Sequence, residues 1–283
     1  MTGRSDAAGY PEHPVNRPAI RVTMSTASAF PETTETAFAM AARLGYDGME
    51  LMVLADPITQ DADTLRRLID RHQLPIVSIH SPCLLITSRV WSSDPLVKLA
   101  RSLELAERVG ASVVVVHPPF VWQRAAAADF PAAIAELQSR TPVKIAVENM
   151  FPVSVGARIA PGRLTVNTYR PHWNPVPARY QHYTLDLSHT ATSHVDAMSM
   201  AQQMGDGLTH VHLADGSGSP KDEHLVPGRG MQPCTELLEH LVRKDFRGVV
   251  CVEIGTRGMP RARRDDDLAQ SLTFARLALD PTG

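Results

Sequence analysis

The chain has 283 residues, of which 43% are hydrophobic and 20% are charged, and this is the composition of a globular protein with a large core. The formal net charge of −2 argues against a polyanion as the main partner, because binding to a phosphate backbone usually needs a basic excess. The three cysteines (Cys83, Cys234 and Cys251) are odd in number and far apart, which argues against a disulfide framework and favours a reducing cytoplasm.

The two ends of the chain differ from the rest. Residues 1–18 are small, polar or proline and contain no apolar run, so a flexible tail is expected rather than a secretory signal. Residues 19–280 are expected to form one domain. No apolar run is long enough to cross a bilayer, so no membrane partner is expected. The sequence does not indicate an oligomeric state.

Eight short runs of β-branched and apolar residues follow the tail, and such runs are typical of strands covered on both faces. The predicted strands span residues 20–25, 48–53, 75–80, 112–117, 144–149, 182–187, 209–214 and 248–254. Amphipathic helices are predicted at residues 31–45, 61–72, 94–110, 130–140, 194–205, 233–244 and 266–279. This alternation predicts an α/β fold, a single (β/α)₈ TIM barrel. A doubly wound sheet is the alternative, disfavoured because a glycine-rich first turn is absent.

The connection after the fifth predicted strand breaks the pattern. Between Asn149 and His182 the sequence has five prolines and no helical periodicity. A connection of this length inside a compact domain is usually functional, so it predicts a lid or a substrate wall over the barrel. An insertion that only packs on the surface is the alternative that the sequence leaves open.

Histidines and acidic residues recur at the carboxyl ends of the predicted strands, where the active site of a TIM barrel lies. A single buried histidine is more often a hydrogen-bonded core residue, but imidazoles and carboxylates from six strands at one end predict a metal site. The mixed set suits Zn²⁺, Mn²⁺, Fe²⁺ or Co²⁺ better than Ca²⁺ or Mg²⁺. Its members are His80, His117, Glu148, Asp186, His189, His210, His212 and Glu253.

The seventh strand is followed by a glycine and serine stretch and then by "DEHLVPGRG", residues 222–230. This segment can fold back over the barrel, and Asp222 and His224 could then both reach a metal. His210 and His212 share one face of the strand, because side chains alternate along it. For Asp215 two interpretations stay open: a partner that fixes an imidazole tautomer, or a cap within a turn.

The chain resembles the xylose-isomerase-like TIM barrels, a superfamily of sugar-phosphate isomerases and epimerases that also contains endonuclease IV. The resemblance covers nearly the whole chain after the tail. Each motif alone is weak, but together they are specific for the superfamily. They are "SIHSP", "VVVVHPP", "VENM", "LDLSHT", "HVHLAD", "DEHLVPGRG" and "VEI".

The isomerases and epimerases hold one divalent metal with four side chains from strands five to eight. The resemblance implies that two glutamates move a proton between adjacent carbons of a sugar or sugar phosphate, and that His189 contacts this substrate. Several epimerases have an arginine three residues before "PGxG", where this chain has His224. The four metal positions correspond to Glu148, Asp186, His212 and Glu253.

Endonuclease IV uses a larger set of ligands for three zinc ions, and this chain has a residue of the right kind at each position. The resemblance therefore also admits a phosphoesterase with one to three ions. Two features of the DNA enzyme are missing: Cys83 replaces a DNA-contacting tyrosine, and residues 150–162 replace a glycine-rich loop. A nucleic-acid partner is disfavoured but left open. The additional metal positions are His80, His117, His189, Asp222 and His224.

Five further residues are candidates for contacts with a sugar ring, because they belong to loops that should surround the barrel mouth. Packing at the rim is the alternative that the sequence leaves open. The candidates are Trp122, Arg124, His172, Trp173 and Arg229.

Overall fold

The computed structural model describes residues 20–155 and 164–280, so the predicted tail lies outside the described residues. The described strands are β1 (Arg21–Ser25), β2 (Gly48–Met52), β3 (Ile76–His80), β4 (Val113–Val116), β5 (Lys144–Glu148), β6 (Val153–Val155), β7 (Leu164–Val166), β8 (His182–Asp186), β9 (Leu208–Leu213) and β10 (Val249–Val252). The α-helices are α1 (Thr34–Leu44), α2 (Ala62–His72), α3 (Pro95–Val109), α4 (Arg124–Ala128), α5 (Phe130–Gln138), α6 (Leu187–Ser193), α7 (Ala197–Met204), α8 (Cys234–Arg243) and α9 (Arg261–Leu279).

Eight strands form a closed parallel barrel in the order β1-β2-β3-β4-β5-β8-β9-β10. The barrel closes where β1 pairs with β10, with Arg21 opposite Val249 and Met24 opposite Val252. Parallel neighbours need a crossover connection, which the helices between the strands provide. The predicted TIM barrel is confirmed, and each predicted strand agrees with the observed one to within two residues.

Local signals set the ends of the helices. Asp94 accepts a hydrogen bond from the backbone N–H of Leu96, and Pro95 occupies the first turn of α3, where a missing N–H costs nothing. Gly110, with φ of +80°, ends the helix in the left-handed conformation that glycine adopts without strain. Thr33 and Gly45 begin and end α1 in the same way.

The alternation of side chains along the strands separates two regions. Odd-numbered Val211 and Leu213 of β9 belong to the main apolar core between barrel and helices, so His210 and His212 lie inside the barrel. The interior also contains an apolar layer, which separates from the main core. It consists of Val77, Val113, Val115, Ala146 and Val249. In the strand register Val115 lies beside His80 and Val249 lies beside His210, so apolar and polar side chains meet inside the barrel.

Three features lack a sequence signal that predicted them. The short helices α4 and α6 have no apolar periodicity long enough to be recognised. Strands β6 and β7 form an antiparallel ladder with Val153 opposite Val166, within the long connection after β5. Residues 156–163 of that connection lie outside the described residues, and its function as a lid stays a prediction. No helix in the described ranges is long and apolar enough to span a bilayer.

Candidate metal centre

Four side chains from consecutive barrel strands meet at the carboxyl end of the barrel. Glu148 and Asp186 end β5 and β8, His212 lies in β9, and Glu253 follows β10. All four are buried. His212 Nδ1 lies 3.3 Å from Glu148 Oε1, 3.4 Å from Asp186 Oδ2 and 3.0 Å from Glu253 Oε2. The predicted primary ligands are thus brought together around one nitrogen atom.

The hydrogen bond of the other ring nitrogen, Nε2, leaves Nδ1 of His212 available to a metal ion. His212 Nε2 lies 2.9 Å from Oε1 of Glu50, a carboxylate that can only accept, so Nε2 carries the ring proton when Nδ1 binds a cation. Nδ1 faces three carboxylates, and Asp186 Oδ2 is buried without a hydrogen-bond donor. A cation between these atoms removes the repulsion, so the residues fit a divalent metal with nitrogen and oxygen ligands.

A second group shares Glu148. His80 Nε2 and His117 Nε2 lie 3.3 and 3.0 Å from Glu148 Oε2, and 3.2 Å from each other. His80 Nδ1 donates to the carbonyl of Ser81 at 2.9 Å, so its Nε2 carries the lone pair. Glu148 Oε2 is buried and has no aligned donor. This group fits a second cation for the same reason as the first.

The third group combines α6 with the loop after β9. His189 Nδ1 donates to the carbonyl of Asn149 at 2.7 Å, and His224 Nδ1 donates to the carbonyl of Glu253 at 2.9 Å. Their Nε2 atoms lie 3.3 and 3.0 Å from Oδ2 of Asp222. Metal-ligating histidines typically donate their other ring proton to a carbonyl or carboxylate in this way.

Asp215 holds the loop that carries Asp222 and His224. Its Oδ2 accepts from the backbone N–H of Gly228 and Gly230 at 2.9 and 2.8 Å, and its Oδ1 accepts from that of Gln232 at 2.9 Å. It contacts no imidazole in these bonds, so it acts as a cap within a turn. A Cβ on Gly230 would collide with the Asp215 carboxylate, which explains the glycine.

The two glutamates that touch His212 Nδ1 differ in their electrostatics. Burial raises the pKa of Glu253 above its usual value. Burial acts on Glu148 in the same direction, but the interactions of its carboxylate with His117 and His212 outweigh it and hold the pKa of Glu148 well below its usual value. Two carboxyl groups whose pKa values are pushed apart suit proton removal and proton return.

Glu50 belongs to the centre, although its position within a strand did not single it out. It is fully buried inside the barrel, and its Oε2 accepts from the hydroxyl of Ser78 at 2.9 Å. His210 Nε2 lies 3.1 Å from the same oxygen but lacks the alignment of a hydrogen bond. A lone acidic residue inside the apolar run "GMELM" was the available signal.

Of the residues predicted to line a substrate wall, Trp122 belongs to an aromatic stack, whereas Arg124 lies exposed at the start of α4. Trp122 is 54% exposed and stacks on Phe120 at 4.5 Å, and Phe120 stacks on Tyr169 at 5.1 Å. These contacts join the loop after β4 to the connection after β5. Arg124, at the start of α4, is exposed.

The other candidates occupy different environments. Trp173 accepts a hydrogen bond at its carbonyl from the N–H of Met150, two residues beyond Glu148, and its ring lies 5.0 Å from that of exposed His172. Arg229 pairs with Asp267 of α9 at 2.7 Å, so its guanidinium is directed to an outer helix. Substrate contact by these residues stays a prediction.

Comparison with known proteins agrees with this architecture. An uncharacterised protein of Mycobacterium tuberculosis is 47% identical over 277 residues, which cover 93% of this chain and 99% of the relative. Fructoselysine 3-epimerase of Escherichia coli O157:H7 is 21% identical over 250 residues, 81% of this chain and 88% of the relative. The crystal structure of D-allulose 3-epimerase from Methylomonas sp. in complex with D-allulose is 16% identical, with a TM-score of 0.63 over 92% of this chain and 97% of that one.

The family model described as "xylose isomerase-like TIM barrel" matches residues 38–277, which include every predicted ligand. The match to this family model is consistent with the closed barrel and with the polar residues at its carboxyl end. The chain belongs to the xylose isomerase-like TIM barrel family.

Proposed function

We propose that the protein is a metal-dependent isomerase or epimerase of a sugar or sugar phosphate. The observation that carries this proposal is the meeting of Glu148, Asp186 and Glu253 around Nδ1 of His212. The names of two relatives, fructoselysine 3-epimerase and D-allulose 3-epimerase, support this class of reaction.

In this reaction the two glutamates exchange one proton with the substrate. Glu148 takes a proton from the carbon beside a carbonyl group, and Glu253 returns a proton to the same or the adjacent carbon. Return to the opposite face of the same carbon gives an epimer. Return to the former carbonyl carbon, together with transfer of a hydroxyl proton between the two oxygens, gives an isomer. A bound divalent ion would stabilise the negative charge that develops on the substrate oxygens.

The test is deuterium uptake from D₂O into ketoses and ketose phosphates, measured by NMR with the metal-loaded protein. We expect uptake at the carbon beside the carbonyl. Glu148→Gln and Glu253→Gln should each lower the rate by about 100-fold or more, since general acid–base catalysis contributes 10²–10⁴-fold. Both variants should also lose most bound metal.

Glu239→Gln is the matched control, since Glu239 is a partly exposed residue of α8 that pairs with Arg243. It should exchange at the wild-type rate. Unchanged turnover and metal content in both Glu148→Gln and Glu253→Gln would contradict the assignment.

Phosphoester hydrolysis is a second candidate, favoured by the two additional groups of ligands. His80 and His117 form one possible ligand group with Glu148, and His189 and His224 form another with Asp186. An isomerase needs one ion, whereas several ions together can stabilise both the attacking and the leaving oxygen of a phosphoester. The number of ions per chain separates the two candidates.

A further inference from the structure

We propose that Glu50 is a positioning residue that fixes the tautomer of His212 and thereby sets the affinity of the centre for its metal. The inference rests on the metal centre of the proposed function, but not on the reaction assigned to it. It concerns a residue that does not touch the substrate.

Glu50 reaches His212 across the inside of the barrel. Its strand, β2, is separated from β9 by β1 and β10 in the closed sheet, so the contact does not follow from strand pairing. Oε1 accepts from His212 Nε2–H at 2.9 Å, and Oε2 accepts from Ser78 at 2.9 Å. Neighbouring strands place Ser25 and Ser78 in register with Glu50.

The orientation of His212 depends on this one acceptor. His80, His189 and His224 each donate Nδ1–H to a backbone carbonyl and direct Nε2 into the centre. His212 is reversed, because Nδ1 faces the centre and Nε2 faces Glu50. Without an acceptor at Glu50, the proton of His212 can move to Nδ1 and bond to Glu148, Asp186 or Glu253. The nitrogen would then be lost as a ligand.

The negative charge of Glu50 is unfavourable for the stability of the barrel. A buried carboxylate is costly, and an apolar or neutral side chain of similar volume would cost less. The described partners of its two oxygens are one histidine proton, one hydroxyl and a poorly aligned His210. A negative charge behind Nε2–H makes Nδ1 a stronger electron-pair donor, which is the effect of a carboxylate–histidine–metal arrangement. The charge thus serves the centre rather than the stability of the barrel.

Two variants of the full chain separate the acceptor from the charge. Glu50→Met removes both, whereas Glu50→Gln keeps an oxygen that can accept from His212 Nε2–H but removes the charge. After the removal of metal with a chelator, each protein is titrated with Mn²⁺, and free Mn²⁺ is measured by EPR. We expect the dissociation constant to rise about 10- to 100-fold in Glu50→Met, the range observed when such partners are lost, and by less in Glu50→Gln.

Ser78→Ala is the matched control. It removes the hydroxyl from Oε2 of the same buried carboxylate, but leaves the bond between Oε1 and His212. It should keep the wild-type affinity for Mn²⁺. Circular dichroism checks that each variant is folded. If Glu50→Met does not fold, the Mn²⁺ affinity of Glu50→Gln, whose side chain has the same shape as the native one, tests the inference instead.

A second readout is the tautomer itself. ¹⁵N NMR of the metal-free protein, with the His212 signal assigned by its loss in His212→Asn, should show Nε2–H in the wild type and lose it in Glu50→Met. Unchanged Mn²⁺ affinity and an unchanged tautomer would overturn the inference. Metal lost in Glu50→Met, without deuterium uptake into any sugar by the wild type, would support this inference and contradict the proposed reaction instead.

Discussion

Four histidines of the centre each commit one ring nitrogen to an oxygen that can only accept. His80, His189 and His224 use backbone carbonyls, whereas His212 uses the Glu50 carboxylate. The remaining nitrogen of each ring is directed at carboxylates and offers a lone pair to a cation when the ring is neutral. This arrangement favours cations in all three groups and makes the number of ions the property to be measured.

Most of these residues could be predicted from the sequence, because a histidine or an acid after an apolar run lies at the mouth of a barrel. The same pattern did not predict Glu50, because Glu50 lies within the apolar run of β2 rather than at its end. The partner of Arg229 is Asp267, 38 positions later on α9, and no local pattern reveals such a pairing. Contacts between distant elements depend on the folded geometry.

The additional ligands should have a measurable effect on stoichiometry. In the isomerase, His80→Ala and His224→Ala should leave about one tightly held ion per chain, with damage mainly to substrate binding, since one ion suffices. Metal analysis of protein purified without chelators, before and after each substitution, measures this. A wild-type count of two or three ions that falls in either variant, with cleavage of an abasic-site oligonucleotide, would favour the phosphoesterase.

At the scale of the elements, regular units were predictable and irregular ones were not. The alternation of helical and β-rich runs, the periodic spacing of apolar residues, and capping residues such as Asp94 and Gly110 predict the strands and the longer helices. The α6 helix follows Asp186 directly and is rich in threonine and serine, which gives it no apolar periodicity. Its first turn nevertheless places His189 in the centre, with its N–H bonded to Asp186 Oδ1 at 2.8 Å.

The loop at residues 215–232 should depend on Asp215. Asp215→Asn replaces one acceptor oxygen by an NH₂ group, which cannot accept from the backbone N–H groups that Asp215 now holds. We expect faster hydrogen exchange at the amides of Gly228 and Gly230, by about tenfold or more, since each hydrogen bond to a charged group contributes ~1.5–3 kcal/mol. Mass spectrometry of the exchanged peptides measures this.

Asp70→Asn offers a control for this loop, because Asp70 is an exposed residue of α2. Its exchange across residues 215–232 should equal that of the wild type. Equal exchange in Asp215→Asn would show that the loop is held by other contacts, such as the Asp215–Leu225 backbone bridge.

At the scale of the whole molecule, the predicted primary ligands come from residues 148–253, and the barrel closes only when β10 pairs with β1. The fold was predictable as a whole because eight regular units leave few alternatives. The precise meeting of four side chains was not, because it depends on the register between β5, β8, β9 and β10. A metal that binds only the closed barrel should therefore stabilise it.

Chelation should lower the melting temperature. A ligand present at about 1,000 times its dissociation constant stabilises the folded state by ~4 kcal/mol, and 1 kcal/mol shifts the midpoint of a domain of this size by ~2–4 °C. We expect EDTA to lower the midpoint by about 8–16 °C, and Mn²⁺ or Zn²⁺ to restore it. Equal midpoints with and without EDTA, for protein shown to contain metal, would mean that the ion does not bind the folded state selectively.

The candidate ligands lie in two different parts of the chain. Glu148, Asp186, His212 and Glu253 are fixed by the barrel, whereas Asp222 and His224 arrive on a loop that Asp215 fastens at its own base. Exchange of this loop would remove the bonds of His224 to Glu253 and Gly255, but not the pairing of β9 with β10. A single recombination within residues 216–231 would then be enough to convert a barrel that holds several ions into one that holds fewer, which gives evolution a short path between chemistries on one scaffold.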